Sequence, residues 1–169
     1  MCKGNCYNLF IFIRSAELFI ENLWKHIKGS ELALCAHKSS TDCLIWLVES
    51  VRDNAILRKV TEGFAPDRLS ADRLKDESIS SVLETLIESL IRVLIEEEEK
   101  EFDTSTARWC IKYLDGLAKI VEDGIVELLS DISGCRMVIV VMEAIGGIRI
   151  GRHWSRQNMR FGSGKLQQI

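Results

Sequence analysis

The stretch that decides the fold is TSTARWCIKYLDGLAKIVEDGIVELLSDI, Thr104 to Ile132. Its apolar residues recur at intervals of three and four along the whole length, which is the spacing of one face of an α-helix. Residues 103–105 (DTS) offer N-cap candidates at its start, and the pair Ser133-Gly134 supplies a stop behind it. The pattern predicts one amphipathic helix of roughly 27 residues.

Two glycines interrupt this stripe, Gly116 and Gly124, two helical turns apart. Glycine in a helix interior costs up to ~1 kcal/mol relative to alanine, so its presence there needs a reason. Close approach of another helix and a mild kink both account for the spacing. We therefore take Gly116 and Gly124 as candidate interface residues.

The segment before it repeats the pattern. Ser81 and Glu84 match a capping box, and apolar residues between Leu83 and Leu94 then share one helical face. The acidic run Glu96 to Glu101 opposes the helix dipole and predicts a helix end. The two helices should form an antiparallel hairpin.

Further amphipathic stripes predict a third helix around Leu44 to Val60 and a fourth over Asn8 to Lys28, with a short helical turn at Glu31 to His37. The apolar run Met137 to Ile145 predicts a buried central helix, and Gly63 to Asp76 a loop. The sequence thus predicts an all-α, single-domain bundle of about five helices. Its domain should cover residues 1–146.

Composition agrees with a helical class. Hydrophobic residues make up 47% of the chain, with a single Pro and 11 Gly, which argues against disorder and against a turn-rich β fold. The six Cys include no CxxC pair, so we predict no metal site and no cofactor. The first apolar run, Leu9 to Ile13, is too short for a signal peptide, and no run approaches the ~20 residues that cross a bilayer. A cytoplasmic protein without membrane contact is expected.

Charge is segregated along the chain. All 25 acidic residues lie at or before Glu143, together with 17 of the 22 Lys and Arg, so this part carries a formal charge of −8. The remaining five basic residues lie in an acid-free C-terminal tail, residues 147–169, so the body and the tail should contact different partners or each other.

That tail suggests a binding role. Arginine can contact phosphates while aromatic rings stack on bases, which fits single-stranded nucleic acid in a ribonucleoprotein complex. The candidate residues are Arg149, Arg152, Trp154, Arg156, Arg160, Phe161 and Lys165. The tail could equally fold over the acidic body of its own or a neighbouring subunit, with Trp154 as an anchor.

Near the end of a small all-α chain, the pair Arg149 and His153 resembles the Arg–His ribonuclease motif of HEPN domains, although three residues separate the pair here against four to six in that motif. The resemblance implies a HEPN-like ribonuclease as one alternative. Our first expectation is a non-catalytic assembly or adaptor subunit that pairs with itself or another protein through apolar helix faces. Nucleic-acid binding is the second.

Overall fold

A computed structural model describes the backbone of residues 3–99 and 104–162, and the side chains of residues 15–96 and 105–147. All regular structure in these residues is helical, which confirms the all-α prediction. The elements are α1 (Lys3–Ile27), α2 (Glu31–Leu34), α3 (Lys38–Ser50), α4 (Asn54–Gly63), a 3₁₀ turn at Pro66–Arg68, α5 (Ala71–Leu74), α6 (Glu77–Glu99), α7 (Thr104–Asp123), α8 (Ile125–Leu128) and α9 (Ile132–Gly162).

In the described residues the count differs from five because two single-turn helices, α2 and α5, are added and two predicted helices are each divided in two. One division falls at Gly124, between α7 and α8, and the other at residues 51–53, between α3 and α4. Asp53 caps α4 by accepting hydrogen bonds from the amides of Ala55 (2.7 Å) and Ile56 (3.2 Å). The apolar stripe runs across this break, so spacing alone could not reveal it.

Helix α6 is the centre of the bundle. One of its sides is completely buried and packs on α3, α7 and α9, through Val82, Leu83, Leu86, Ile87, Leu90 and Val93. Arg92 on α6 donates to the carbonyl of Val51 at 3.1 Å, which holds the end of α3 beside the end of α6. The helix begins earlier than predicted, because Asp76 caps it through the amides of Ser78 and Ile79.

The predicted capping box is therefore wrong. Ser81 and Glu84 lie inside α6, and Ser81 donates to the carbonyl of Glu77, one turn earlier. Aspartate is as good an N-cap as serine, so Asp76 and Ser81 were both possible N-caps in the sequence. The structure uses Asp76, which lies five residues before Ser81.

The deciding stretch forms α7, which is shorter than predicted. It ends at Asp123, and Gly124 separates it from α8. Lys75, just before α6, bonds Glu127 of α8 at 2.6 Å, so the end of α7 lies beside the start of α6. This places α7 antiparallel to α6, as the hairpin prediction requires.

The last helix departs most from expectation. Ser133-Gly134 does not stop a helix but lies in the first turn of α9, where Asp131 accepts a hydrogen bond from the Gly134 amide at 3.0 Å. The helix then continues through Gly146 and Gly147 to Gly162, so no helix end separates residues 1–146 from residues 147–162. Nor is the stretch around Met137 to Ile145 buried on all sides, as described below.

A buried carboxylate organises the segment predicted to be a loop. Glu31 is only 1% exposed; it accepts from the Gly29 amide at 2.8 Å and from Arg68 at 3.4 Å. Arg68 also donates to the Gly63 carbonyl at 2.8 Å. Next to this, Tyr113 of α7 donates to the carbonyl of Phe64 at 2.8 Å. Together these bonds fix residues 63–69 against α2 and α7, so the segment is ordered.

Candidate interaction surface

Helix α9 has an apolar seam that packs into the bundle. Gly134, Met137, Val141 and Ala144 are spaced by three and four residues and are all buried; we call them the inner seam. Met137, Val141 and Ala144 belong to the hydrophobic core, in which α9 contacts α6 and α7. This seam is what positions the rest of the helix.

A second apolar seam lies on the opposite side of the same helix. It also follows the spacing of three and four, through Ile132, Cys135, Ile139, Met142 and Gly146, which we call the outer seam. Ile132 is 90% exposed, Ile139 57% and Met142 62%. At 100° per residue the two seams are centred about 160° apart around the helix axis. The prediction of a buried central helix was therefore correct for one side of α9 only.

An ion pair fixes the rotation of α9. Arg136 lies between the two seams and donates to the carboxylate of Glu84 on α6 at 2.6 Å. Glu143, two turns further along, lies on the same polar strip and is exposed. With the inner seam buried and this strip tied to α6, the outer seam faces away from the bundle.

Helix α8 extends the exposed apolar area. The thiol of Cys135 donates to the carbonyl of Leu129 at 3.4 Å, which places the loop after α8 beside the outer seam. Leu129 is exposed, and Val126 on α8 is 83% exposed. We call the outer seam together with Val126 and Leu129 the apolar face.

The absence of a side chain at Gly134 allows α8 to lie against α9. A Cβ at Gly134 would collide with the backbone of Leu128, including its carbonyl oxygen. Glycine is therefore required here for close approach of two backbones. This contact, and the Asp131 cap beside it, hold α8 and the first turn of α9 as one unit.

The two glycines predicted as interface residues contact the chain itself. A Cβ at Gly116 would lie 2.6 Å from Cγ of Pro66, and one at Gly124 would lie 2.5 Å from Cβ of Ala71. The close approach expected from their spacing is present, but its partner is the segment that connects α4 to α6. Gly124 also separates α7 from α8. Gly116 and Gly124 thus lie against segments of their own chain, and their place in an interface between chains stays a prediction.

The predicted tail residues lie on α9 only in part. The backbone that carries Arg149, Arg152, His153, Trp154, Arg156, Arg160 and Phe161 is helical, but their side chains lie outside the described residues, as does Lys165 altogether. The structure therefore gives the path of this segment and no contacts for its cations or rings.

A cleft of about 210 Å³ lies between α1 and the turn from α3 to α4. Two of its three charged side chains already serve the fold, since Asp53 caps α4 and Arg52 donates to the carbonyl of Glu49 at 2.6 Å. We assign no ligand to it. Among the described side chains there is also no group of three or more His, Cys, Asp or Glu residues able to hold a metal ion.

Sequence reasoning missed the outer seam, although a signal was present. The inner and outer seams interleave, so residues 137–145 form one apolar run that only Glu143 interrupts. Two overlapping repeats of three and four, offset by two residues, were the available sign of a helix with two apolar sides.

No helix in the described part of the chain is long and apolar enough to cross a membrane.

Comparisons of the chain with protein-family models, with curated proteins and with solved structures found no match.

Proposed function

We propose that the protein is a non-catalytic assembly subunit, which associates with itself or with another protein through the apolar face of α8 and α9. The observation that carries this proposal is the outer seam: three large apolar side chains, each more than half exposed, repeat along one side of a helix whose other side is buried. Scattered single apolar residues are ordinary on protein surfaces, whereas a contiguous row of them marks an interaction site.

The spacing supports a helical partner. Residues repeating every 3.5 positions on average form the seam along which two helices pack side by side, with each side chain inserted between four of the other helix. Ile132, Ile139 and Gly146 occupy one type of position in this repeat, and Cys135 and Met142 the other. A helix of the partner, laid along α9, would cover these residues together.

Light scattering during size-exclusion chromatography tests the proposal. The wild type should exceed the monomer mass as its concentration rises to about 100 μM, where even micromolar interactions are populated. Ile139→Glu places a charge in the middle of the seam and should return the protein to the monomer. Ile95→Glu is the matched control, because Ile95 on α6 is similarly exposed but lies off the apolar face.

The two variants should keep the wild-type circular dichroism, since both positions are exposed. A wild type that stays monomeric over this range, and that captures no partner dependent on Ile139, would contradict the proposal. So would an equal effect of Ile95→Glu and Ile139→Glu on self-association.

Binding of single-stranded nucleic acid is a second candidate, favoured by the +5 charge of the acid-free residues 147–169 and by Trp154 and Phe161 within them. Binding of a labelled oligonucleotide should then fall steeply with salt and disappear when residues 149–169 are removed. Retained binding after that deletion would exclude the tail as the site. Cleavage of the same RNA, lost in His153→Ala, would indicate the ribonuclease alternative.

A further inference from the structure

We infer that the occupant of the apolar face is a second copy of this chain, with the two α9 helices antiparallel. The inference rests on the proposed function and adds the partner and the orientation. It combines three observations: the regular spacing of the outer seam, an acidic end of the bundle where α9 begins, and four arginines further along the same helix, Arg149, Arg152, Arg156 and Arg160.

The acidic end is assembled from two segments. Contact between Gly124 and Ala71, and the bond of Lys75 to Glu127, bring residues 119–131 beside residues 70–77. These segments contain seven Asp or Glu and three Lys or Arg. Lys75 donates hydrogen bonds to Asp72 and to Glu127, which raise its pKa, so one cation is already held between two carboxylates. Glu122 and Asp123 beside them are exposed.

The chain cannot bring Arg149 to Arg160 of its own α9 to this end. Helix α9 leads away from the acidic end, and at about 1.5 Å per residue its backbone places position 156 roughly 36 Å from position 132. An unbroken helix cannot turn back over that distance. The cations of residues 149–160 and the acids of residues 119–131 therefore belong to opposite ends of one molecule.

An antiparallel pair brings opposite ends together. In antiparallel packing the two position types of the repeat face each other, so Ile139 lies opposite Met142 of the second copy and Cys135 opposite Gly146. Residue 149 then lies level with Ile132, and residues 149–160 of each copy extend about 17 Å further, past the acidic end of the other. A parallel pair would instead place both basic segments side by side, where like charges repel.

The arrangement is closed and symmetric. A two-fold axis between Ile139 and Met142 makes each contact occur twice, which limits the assembly to a dimer. The repeat provides the apolar contact, and charge selects the antiparallel orientation over the parallel one.

Charge exchange between two variants tests the orientation. One variant carries Arg156→Glu and Arg160→Glu; the other carries Glu122→Lys and Asp123→Lys. Each alone places like charges against each other twice per dimer, and its dissociation constant should rise roughly 10- to 30-fold at low salt. Mixed together, the two variants restore opposite charges at both ends, so a heterodimer of near wild-type affinity should form.

Disulfide cross-linking provides an independent measurement. In a background with Cys2, Cys6 and Cys43 replaced by Ser, Cys35 and Cys110 are buried and Cys135 remains on the apolar face. In an antiparallel dimer Cys135 lies away from its equivalent, and mild oxidation should give no covalent dimer. Adding Gly146→Cys should give one, and Cys135→Ser in that variant should abolish it.

The outcomes separate the two levels of the proposal. A Cys135–Cys135 link in the background protein, or a charge-exchanged mixture that stays dissociated, would overturn the antiparallel pair while the wild type still associates. A wild type that remains monomeric in light scattering, with or without these changes, would overturn self-association itself.

Discussion

A single buried carboxylate shows how individual residues constrain this fold. Glu31 needs the space that Gly63 leaves, because a Cβ at position 63 would lie 2.7 Å from the carboxyl carbon. Burying an ionised group is costly unless hydrogen bonds replace its water, and the Gly29 amide and Arg68 supply them. Gly29 has a φ of 90°, a backbone conformation that residues other than glycine seldom adopt. Three residues from three helical elements and one from the turn before α2 therefore depend on one another.

Cys35 gives a testable pH dependence at the same scale. Burial, aided by the negative charge of Asp76, raises the pKa of its thiol from 9.0 to about 11. In the unfolded chain the thiol loses its proton near pH 9, whereas in the folded protein it keeps the proton until about pH 11. Ionisation therefore favours the unfolded state in this window, and the free energy of unfolding falls as the pH rises.

Urea unfolding of the wild type and Cys35→Ala at pH 8 and pH 10 measures this effect. The stability difference between the two proteins should shrink by roughly 1 kcal/mol at the higher pH, because the alanine variant has no thiol to ionise. Parallel stability curves for the two proteins would show that Cys35 does not titrate differently on unfolding.

At the scale of helices, the sequence predicted well which segments are helical and predicted poorly where each helix begins and ends. The apolar stripes of α6 and α7 were recognised because the stripes are long and their spacing is regular. The breaks at residues 51–53 and at Gly124 were missed because apolar spacing continues across both, so the core stays filled although the backbone turns. The continuation of α9 through Gly146 and Gly147 was missed because each glycine costs up to ~1 kcal/mol in a helix interior, so the adjacent pair was taken as a helix end.

Packing of α7 against the 3₁₀ turn leads to a prediction about Gly116. In Gly116→Ala the new Cβ would lie 2.6 Å from the rigid ring of Pro66, so the backbone of one element must shift. We expect a loss of about 1–3 kcal/mol in the free energy of unfolding, in spite of the better helix propensity of alanine.

Gly147→Ala is the matched control, since it lies inside α9 with nothing within 4 Å of its Cβ position. It should stabilise the protein by up to ~1 kcal/mol. Both variants should keep the wild-type oligomeric state. A Gly116→Ala protein that is as stable as the wild type but changes its association would return this glycine to an interface between chains.

The candidate surface was less predictable than the fold. Its basic residues and its apolar residues are all present in the sequence, and the spacing of Gly116 and Gly124 left both close approach of another helix and a kink open. Which segment approaches these glycines depends on the tertiary structure, because Pro66 and Ala71 are about 50 residues away from them along the sequence. Likewise, the two seams of α9 differ only in what covers them, and that depends on how the bundle closes.

The whole molecule combines an apolar face with a separation of charge, and its thermal stability should depend on its concentration. A dimer that forms only from folded chains stabilises them by mass action. The melting temperature of the wild type should rise over a hundredfold increase in protein concentration, whereas that of Ile139→Glu should stay constant. A wild-type melting temperature independent of concentration would argue against an assembly that requires the native fold.

The two seams of α9 also determine a handedness. A straight α-helix has 3.6 residues per turn, so a repeat of seven residues drifts by about 20° around the axis with each heptad. From Ile132 to Gly146 the outer seam covers two heptads and drifts by about 40°. To keep it in contact, two α9 helices must wind around each other in a left-handed sense and cross at about 20°. The two bundles would then be tilted relative to each other by the same angle, about 20°.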